Sequence, residues 1–329
     1  MSLLLDKTIE VTNRKSYKAS DDEYFAHSAI SNSDLTYFHQ NGFANFWNYK
    51  YGEKPRLDTP SLTLGSLVHC RILEPEEVEN RYIVLKGNMP KSPNMEAFCR
   101  KIAKEGMTAE EAYLSSYKIT KKDLGTKHLV QEEELSGYIE YLRNGVGKTA
   151  VTEEQWNISS ILLSNYTKKE DIYNDTLRSY AVSHDKAEID VYNEVMHTAE
   201  IEDVLCKGKI DRRLVYNTGW GLIDLKTTAN AGLIGFSKSI RNYEYIRQLA
   251  FYSLLVSDIP PKYIVIIALQ TEPPYQVQMF KFDYGLVSKA FRDIKEDLLK
   301  LKPYVGDSPD KLLEAEDLVI HLNEQNFKY

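Results

Sequence analysis

Apolar and polar positions follow two different rhythms along this chain, and the change falls near residue 187. Before it the pattern is helical. ISNSDLTYFHQ offers Ser33 as an N-cap for a helix through Phe38, and the aromatic-rich NGFANFWNYKYG follows. TPSLTLGSLVHCRILEPE predicts a helix from about Ser61 to Leu73, stopped by Glu74-Pro75, with a short strand at Tyr82–Val84. Residues 86–180 are charged, rich in Lys and Glu, and mostly helical. Within them Val151–Lys169 is an amphipathic helix with a cap at Thr152 and Glu154 or Gln155 behind it. Residues 1–25 are polar and irregular, with room for a strand or two.

After residue 187 strands take over. AEIDVYN reads as a strand, HTAEIEDVLC follows it, and KGKIDRRLVY and WGLIDLKTT are β-prone runs on either side of the turn residues NTG. NAGLIGFSKS is expected to be a loop, and about Arg241–Val256 a long helix with Ile246, Leu249, Ala250 and Leu254 on its apolar side. PKYIVIIALQ predicts a buried strand and PYQVQMFKFD an alternating one, before helices near Tyr284–Leu301 and Pro309–Asn323. Strands interleaved with helices predict an α/β fold, a mixed central sheet with helices on its faces.

Composition narrows this picture. With 329 residues, 43% hydrophobic and 27% charged, the chain is expected to form one elaborated globular domain. Apolar runs such as YIVIIAL are too short to span a bilayer, and MSLLLDKTIEV lacks a secretion signal, so the expected setting is the cytosol, with no membrane partner. Cys70, Cys99 and Cys206 are too few and scattered for a disulfide framework, a zinc ribbon or an iron–sulfur cluster. The net charge of −7 argues against loose electrostatic coating of nucleic acid; a phosphate backbone needs local positive charge or bound cations here.

The strand pair around NTG carries the candidate chemistry. If its turn is centred between Asn217 and Thr218, Asp211 stands directly opposite Asp224, with Lys226 on the same face as Asp224. Like charges directly opposite are destabilising. Three arrangements relieve them: exposure to water, a shared proton, or a divalent cation between them. Asp224 is flanked by Leu222, Ile223 and Leu225, so its strand is expected to be buried and its carboxylate to need a cation. Lys226 supplies one charge, and Mg²⁺ completes the balance.

The spacing of Asp211 and Asp224-Leu225-Lys226 resembles the PD-(D/E)XK nuclease signature. D-x-K alone is a weak motif. GSLVHCRILEPE, AEIDVYN, LCKGKIDR, GLIDLKTT and QLAFY, in that order, with ISNSDL and VTEEQW, are similar to the RecE-type (exonuclease VIII-like) phage and prophage branch of that superfamily over about residues 28–290. The resemblance implies a restriction-endonuclease-like core at about 181–329. It leaves an N-terminal helical part at about 1–85 with His69, and a helical insertion at about 86–180. It implies His69, Asp211, Asp224 and the Leu225 carbonyl as metal ligands, Glu188 as a further acidic position, and Lys226 as the catalytic lysine. It also implies that Gln248 and Tyr252, four apart on one helix face, border the site. Lys207, Lys209, Arg212 and Arg213 flank Asp211 as candidate phosphate contacts, or as a solvated charge run.

The implied activity is a Mg²⁺-dependent exonuclease, with Mn²⁺ able to substitute. It would digest one strand of linear duplex DNA 5′→3′ and leave 3′ tails for a single-strand annealing protein. Relatives act as ring-shaped oligomers in a bacterial host. The alternatives are a single-strand or flap nuclease of the same superfamily and a non-catalytic scaffold for DNA ends.

Overall fold

The computed structural model describes residues 9–52, 59–144, 147–181 and 189–305. Glu188 and the helix expected at Pro309–Asn323 lie outside the described residues. The chain divides into two compact units. One comprises Met1–Leu57, Glu170–Leu269 and Val277–Tyr329, and the other Asp58–Lys169 and Gln270–Gln276.

The strands, in chain order, are β1 (Val11–Lys18), β2 (Tyr82–Val84), β3 (Thr149–Val151), β4 (Asp190–Ile201), β5 (Val204–Tyr216), β6 (Gly219–Thr228), β7 (Tyr263–Gln270) and β8 (Val277–Phe282). Among the described residues the first unit holds a six-stranded sheet in the order β1-β4-β5-β6-β7-β8. Two tight hairpins build its centre. The β4–β5 turn is Glu202-Asp203, with φ of 53° and 62° at the two positions. Two left-handed residues in succession twist a hairpin in the sense its strands require. The β5–β6 turn is Asn217-Thr218, and the ladder runs from Tyr216 opposite Gly219 to Arg212 opposite Ile223, the register expected from the sequence. YIVIIALQ is buried at every position, as an unbroken apolar strand covered on both faces should be.

The helices of this unit are α1 (Asp21–Ala26), α2 (Asn32–Tyr51), α10 (Leu233–Asn242), α11 (Tyr245–Val256), α12 (Tyr284–Val287) and α13 (Ala290–Leu301), with part of α9 (Glu153–Ala181). Helix α11 packs on β4, β5 and β6. A Cβ at Gly208 would lie 2.8 Å from Leu255 Cδ1 and 2.9 Å from Tyr252 Cε1, so only glycine lets α11 settle on β5. Asp297 of α13 accepts from Arg247 of α11 at 2.6 Å and pairs with His39 of α2 at 2.9 Å, locking three helices around a nearly dry ion pair.

The second unit holds α3 (Pro60–Leu73), α4 (Val78–Arg81), α5 (Pro93–Lys104), α6 (Ala109–Tyr117), α7 (Lys127–Glu134), α8 (Ser136–Asn144) and the start of α9. β2 and β3 form a parallel pair there. One core gathers Phe98, Cys99, Ile102, Leu135 and Ile139, and another Leu67, Cys70, Val78 and Val151. Cys70, Cys99 and Cys206 are buried thiols. Among the described residues no helix is long and apolar enough to cross a membrane.

Four sequence expectations are corrected. The cap of α2 is Ser31, because its capping-box partner three residues on is Asp34, which takes the Ser31 N–H at 2.8 Å. Helix α9 runs past Lys169 to Ala181, anchored by buried Leu177 and by Tyr173, whose hydroxyl donates to the Val277 carbonyl. NAGLIGFSKS is not a loop: α10 begins at Leu233, Asn230 Oδ1 takes the Gly232 N–H at 2.8 Å, and Phe236 is buried and stacked on Phe280. The helix expected at Arg241–Val256 is interrupted at Tyr243-Glu244, where Glu244 has φ of 52°.

His197 on β4 is 3% exposed and its Nε2 has no hydrogen-bond partner among the described residues. Burial, and secondarily the Arg213 charge, pushes its pKa from the ordinary 6.5 down to about 4. The unfolded chain therefore binds a proton in a window where the folded one does not, and stability falls as pH drops from 6.5 toward 4. The expected loss is about 3 kcal/mol from this group. Urea titrations across that range measure it, and His197→Leu is expected to flatten the slope; an unchanged slope assigns the acid sensitivity elsewhere.

Candidate metal centre

The three central strands bring carboxylates together. Asp211 on β5 is 9% exposed and Asp224 on β6 is 1% exposed. One step beyond the Arg212–Ile223 pair, Asp211 Oδ2 accepts the Leu225 N–H at 2.6 Å, so a side chain stands where a ladder carbonyl would otherwise accept. Lys226 Nζ lies 2.7 Å from Asp224 Oδ2. Of the three ways to relieve facing carboxylates, exposure to water is excluded by burial.

A third carboxylate arrives from β4. Asn193 pairs with Arg212 and Val195 with Ile210, which sets Glu194 across from Asp211. Oxygen atoms of the two lie within 4.8 Å of one another. Glu194 has φ of 51°, a conformation that favours glycine and costs on the order of 1 kcal/mol for other residues. Its side chain is 12% exposed and meets Lys209 Nζ at 3.0 Å, while Lys209 also pairs with Asp21 of α1 at 2.7 Å.

Electrostatics follow from this crowding. Burial raises the Asp211 pKa above the usual carboxylate value, and Lys226, the Leu225 N–H, Lys209 and Arg212 hold it back. Burial alone would lower the Lys226 pKa, but Asp224 and Asp211 outweigh it and leave the ammonium more basic than usual. Glu194, Asp211 and Asp224 against Lys209 and Lys226 leave an excess of negative charge. Oxygen donors carrying that excess fit a hard divalent cation such as Mg²⁺ or Mn²⁺.

The remaining residues singled out in the sequence divide as follows. Gln248 and Tyr252 do share a face of α11, with Gln248 Nε2 donating to Tyr252 Oη at 2.9 Å. Burial, then Tyr24, Asp224 and Asp211, pushes the Tyr252 phenol well above its ordinary pKa, so it stays neutral beside the carboxylates. Leu225 is fully buried between Asp224 and Lys226. Lys207 faces inward: its ammonium is buried and donates to the Tyr24 and His27 carbonyls at 2.5 and 2.7 Å, with its pKa lowered to about 8 by burial. Arg212 donates to Asn193 Oδ1 at 2.9 Å and lies 3.7 Å from Glu170, and Arg213 lies over Tyr192. His69 is part-buried on α3 of the second unit.

Two neighbours escaped the sequence reading. Glu194 could have been found by applying to Glu202-Asp203 the same counting used for Asn217-Thr218. Tyr245, whose ring centroid is 5.1 Å from Lys226 Nζ, carried no signal beyond being aromatic.

Comparison with curated proteins gives no match. Among solved structures, the chain is similar to a "Putative exonuclease" from Eubacterium rectale, with 12% identity over 95% of this chain and 98% of that one and a TM-score of 0.46. Residues 31–306 match the family described as PDDEXK-like domain of unknown function (DUF3799). That span covers both hairpins and most of the chain, and the chain belongs to this PDDEXK-like family, within the PD-(D/E)XK nuclease superfamily.

Proposed function

We propose that the protein is a metal-dependent exodeoxyribonuclease of RecE type, which degrades one strand of linear duplex DNA 5′→3′ and leaves 3′ single strands for annealing. The observation that carries this reading is the buried pair Asp211 and Asp224 with half-buried Lys226 on one hairpin, and Glu194 across from Asp211. Asp211, Asp224, Glu194 and the Leu225 carbonyl would hold Mg²⁺ or Mn²⁺, with His69, by its match to the family's histidine, as the nitrogen ligand. When bound, the cation supplies Lewis-acid polarisation of the scissile phosphate and lowers the pKa of water. Lys226, kept protonated by the two aspartates, acts as a fixed positive charge and donor to a phosphate oxygen rather than as a base. Tyr252, a neutral phenol held by Gln248, offers a further donor at the edge of the carboxylates. Lys209 holds Glu194 in place, and Arg212 braces β4 against β5 through Asn193.

The test compares linear duplex, closed circular duplex and single-stranded DNA, each with Mg²⁺ and with EDTA. Linear duplex is expected to be degraded only with the metal, while the closed circle persists. Preference for single strands would favour the flap-type alternative. Binding of ends with no degradation under any metal would leave only a scaffold.

A further inference from the structure

Beside the carboxylates the surface changes character. In a chain of net charge −7, α10 carries Lys238 and Arg241, both exposed, and no acidic residue. It is followed by Tyr243, whose side chain is 66% exposed. Tyr243 does not stand alone. Its ring is stacked on Tyr245, with centroids 5.7 Å apart and planes 23° apart, and the Tyr245 ring lies against the Lys226 ammonium.

This stack needs the break between the helices. Side chains two apart on a continuous helix point to different faces. Glu244, between the two tyrosines, takes the left-handed conformation, and this reversal brings both rings to one side. The turn is held from both directions: Glu244 accepts from Thr36 Oγ1 at 3.5 Å and lies 4.0 Å from Arg247 Nε. Behind the pair, buried Phe236 supports Tyr245. The result is a braced aromatic face, open to solvent on its outer side and flanked by the exposed positive charges of Lys238 and Arg241. Aromatic rings beside a basic track are what an unpaired nucleic acid strand recognises, because every base has a π-face and every linkage a phosphate.

We propose that Tyr243, backed by Tyr245, is a stacking platform for an unpaired nucleobase of the strand being cut, with Lys238 and Arg241 attending its phosphates. The proposal deepens the nuclease reading, on which it rests, and adds that the substrate strand is engaged unstacked.

The experiment uses the full chain and single-stranded oligonucleotides carrying 2-aminopurine at each position in turn, with Ca²⁺ in place of Mg²⁺. Binding is expected to quench the probe at one or two positions. Tyr243→Ala is expected to remove that quenching and weaken binding roughly 5- to 150-fold, while Tyr243→Phe keeps both. Parent-like quenching and affinity in Tyr243→Ala would overturn the platform, as would an unquenched probe at every position of the parent. The cleavage assay fails separately: a protein that quenches through Tyr243 but never cuts DNA keeps the platform and loses the nuclease reading.

Discussion

Replacing Lys226 with Met is expected to lower metal-dependent DNA cleavage by about 10²–10³-fold, the usual effect of removing one fixed donor from a developing charge. The same change also costs stability, because Asp224 is 1% exposed and its neighbouring ammonium is only 2.7 Å away. Breaking one partner out of a buried pair typically costs about 3 kcal/mol or more. Loss of activity in the single variant is therefore ambiguous by itself. The double variant Asp224→Asn/Lys226→Met resolves it, since neither charge is then left alone in the interior. Thermal denaturation of the double variant is expected to return most of the way to the parent, while cleavage stays absent. If the double variant recovers its fold and also cuts DNA, the pair belongs to the core and not to the chemistry.

Glu194→Gln is the second large effect. The substitution keeps volume and hydrogen-bonding capacity, and Lys209 retains Asp21, so the melting temperature is expected to move little. Mn²⁺ affinity, read by calorimetry, is expected to weaken roughly 10- to 100-fold or more, with cleavage falling in parallel. The matched substitution Glu188→Gln provides the comparison, because the family resemblance favoured that residue while the ladder register favours Glu194. Parental Mn²⁺ affinity in Glu194→Gln would remove it from the ligand set.

What could be read in advance tracks how local each signal is. The β5–β6 register, from Tyr216 opposite Gly219 to Arg212 opposite Ile223, was legible because a two-residue turn fixes it by counting. The start of α9 was legible because Thr152 and Gln155 cap each other within four residues. The α10–α11 break was not, because nothing in RNYEY forces Glu244 into a left-handed conformation; contacts from Thr36 and Arg247, distant or a turn away, hold it there. Lys207 was misread for a related reason. Its charge suggested solvent or phosphate, while its carbonyl partners come from residues 24 and 27. Glu194 was available to the same counting that found Asp224, and was missed because HTAEIEDVLC was not read as part of a hairpin.

The Arg247–Asp297 lock has a consequence for how the chain is made. The second unit is almost wholly one continuous stretch, Asp58–Lys169, and its contacts can close as soon as that stretch leaves the ribosome. β1 must wait for β4, nearly two hundred residues downstream, and the guanidinium of α11 meets Asp297 only once α13 has been synthesised. Synthesis therefore delivers a helical subassembly first, then the two hairpins that gather the carboxylates and their lysine, and last the helix that locks α11 behind them.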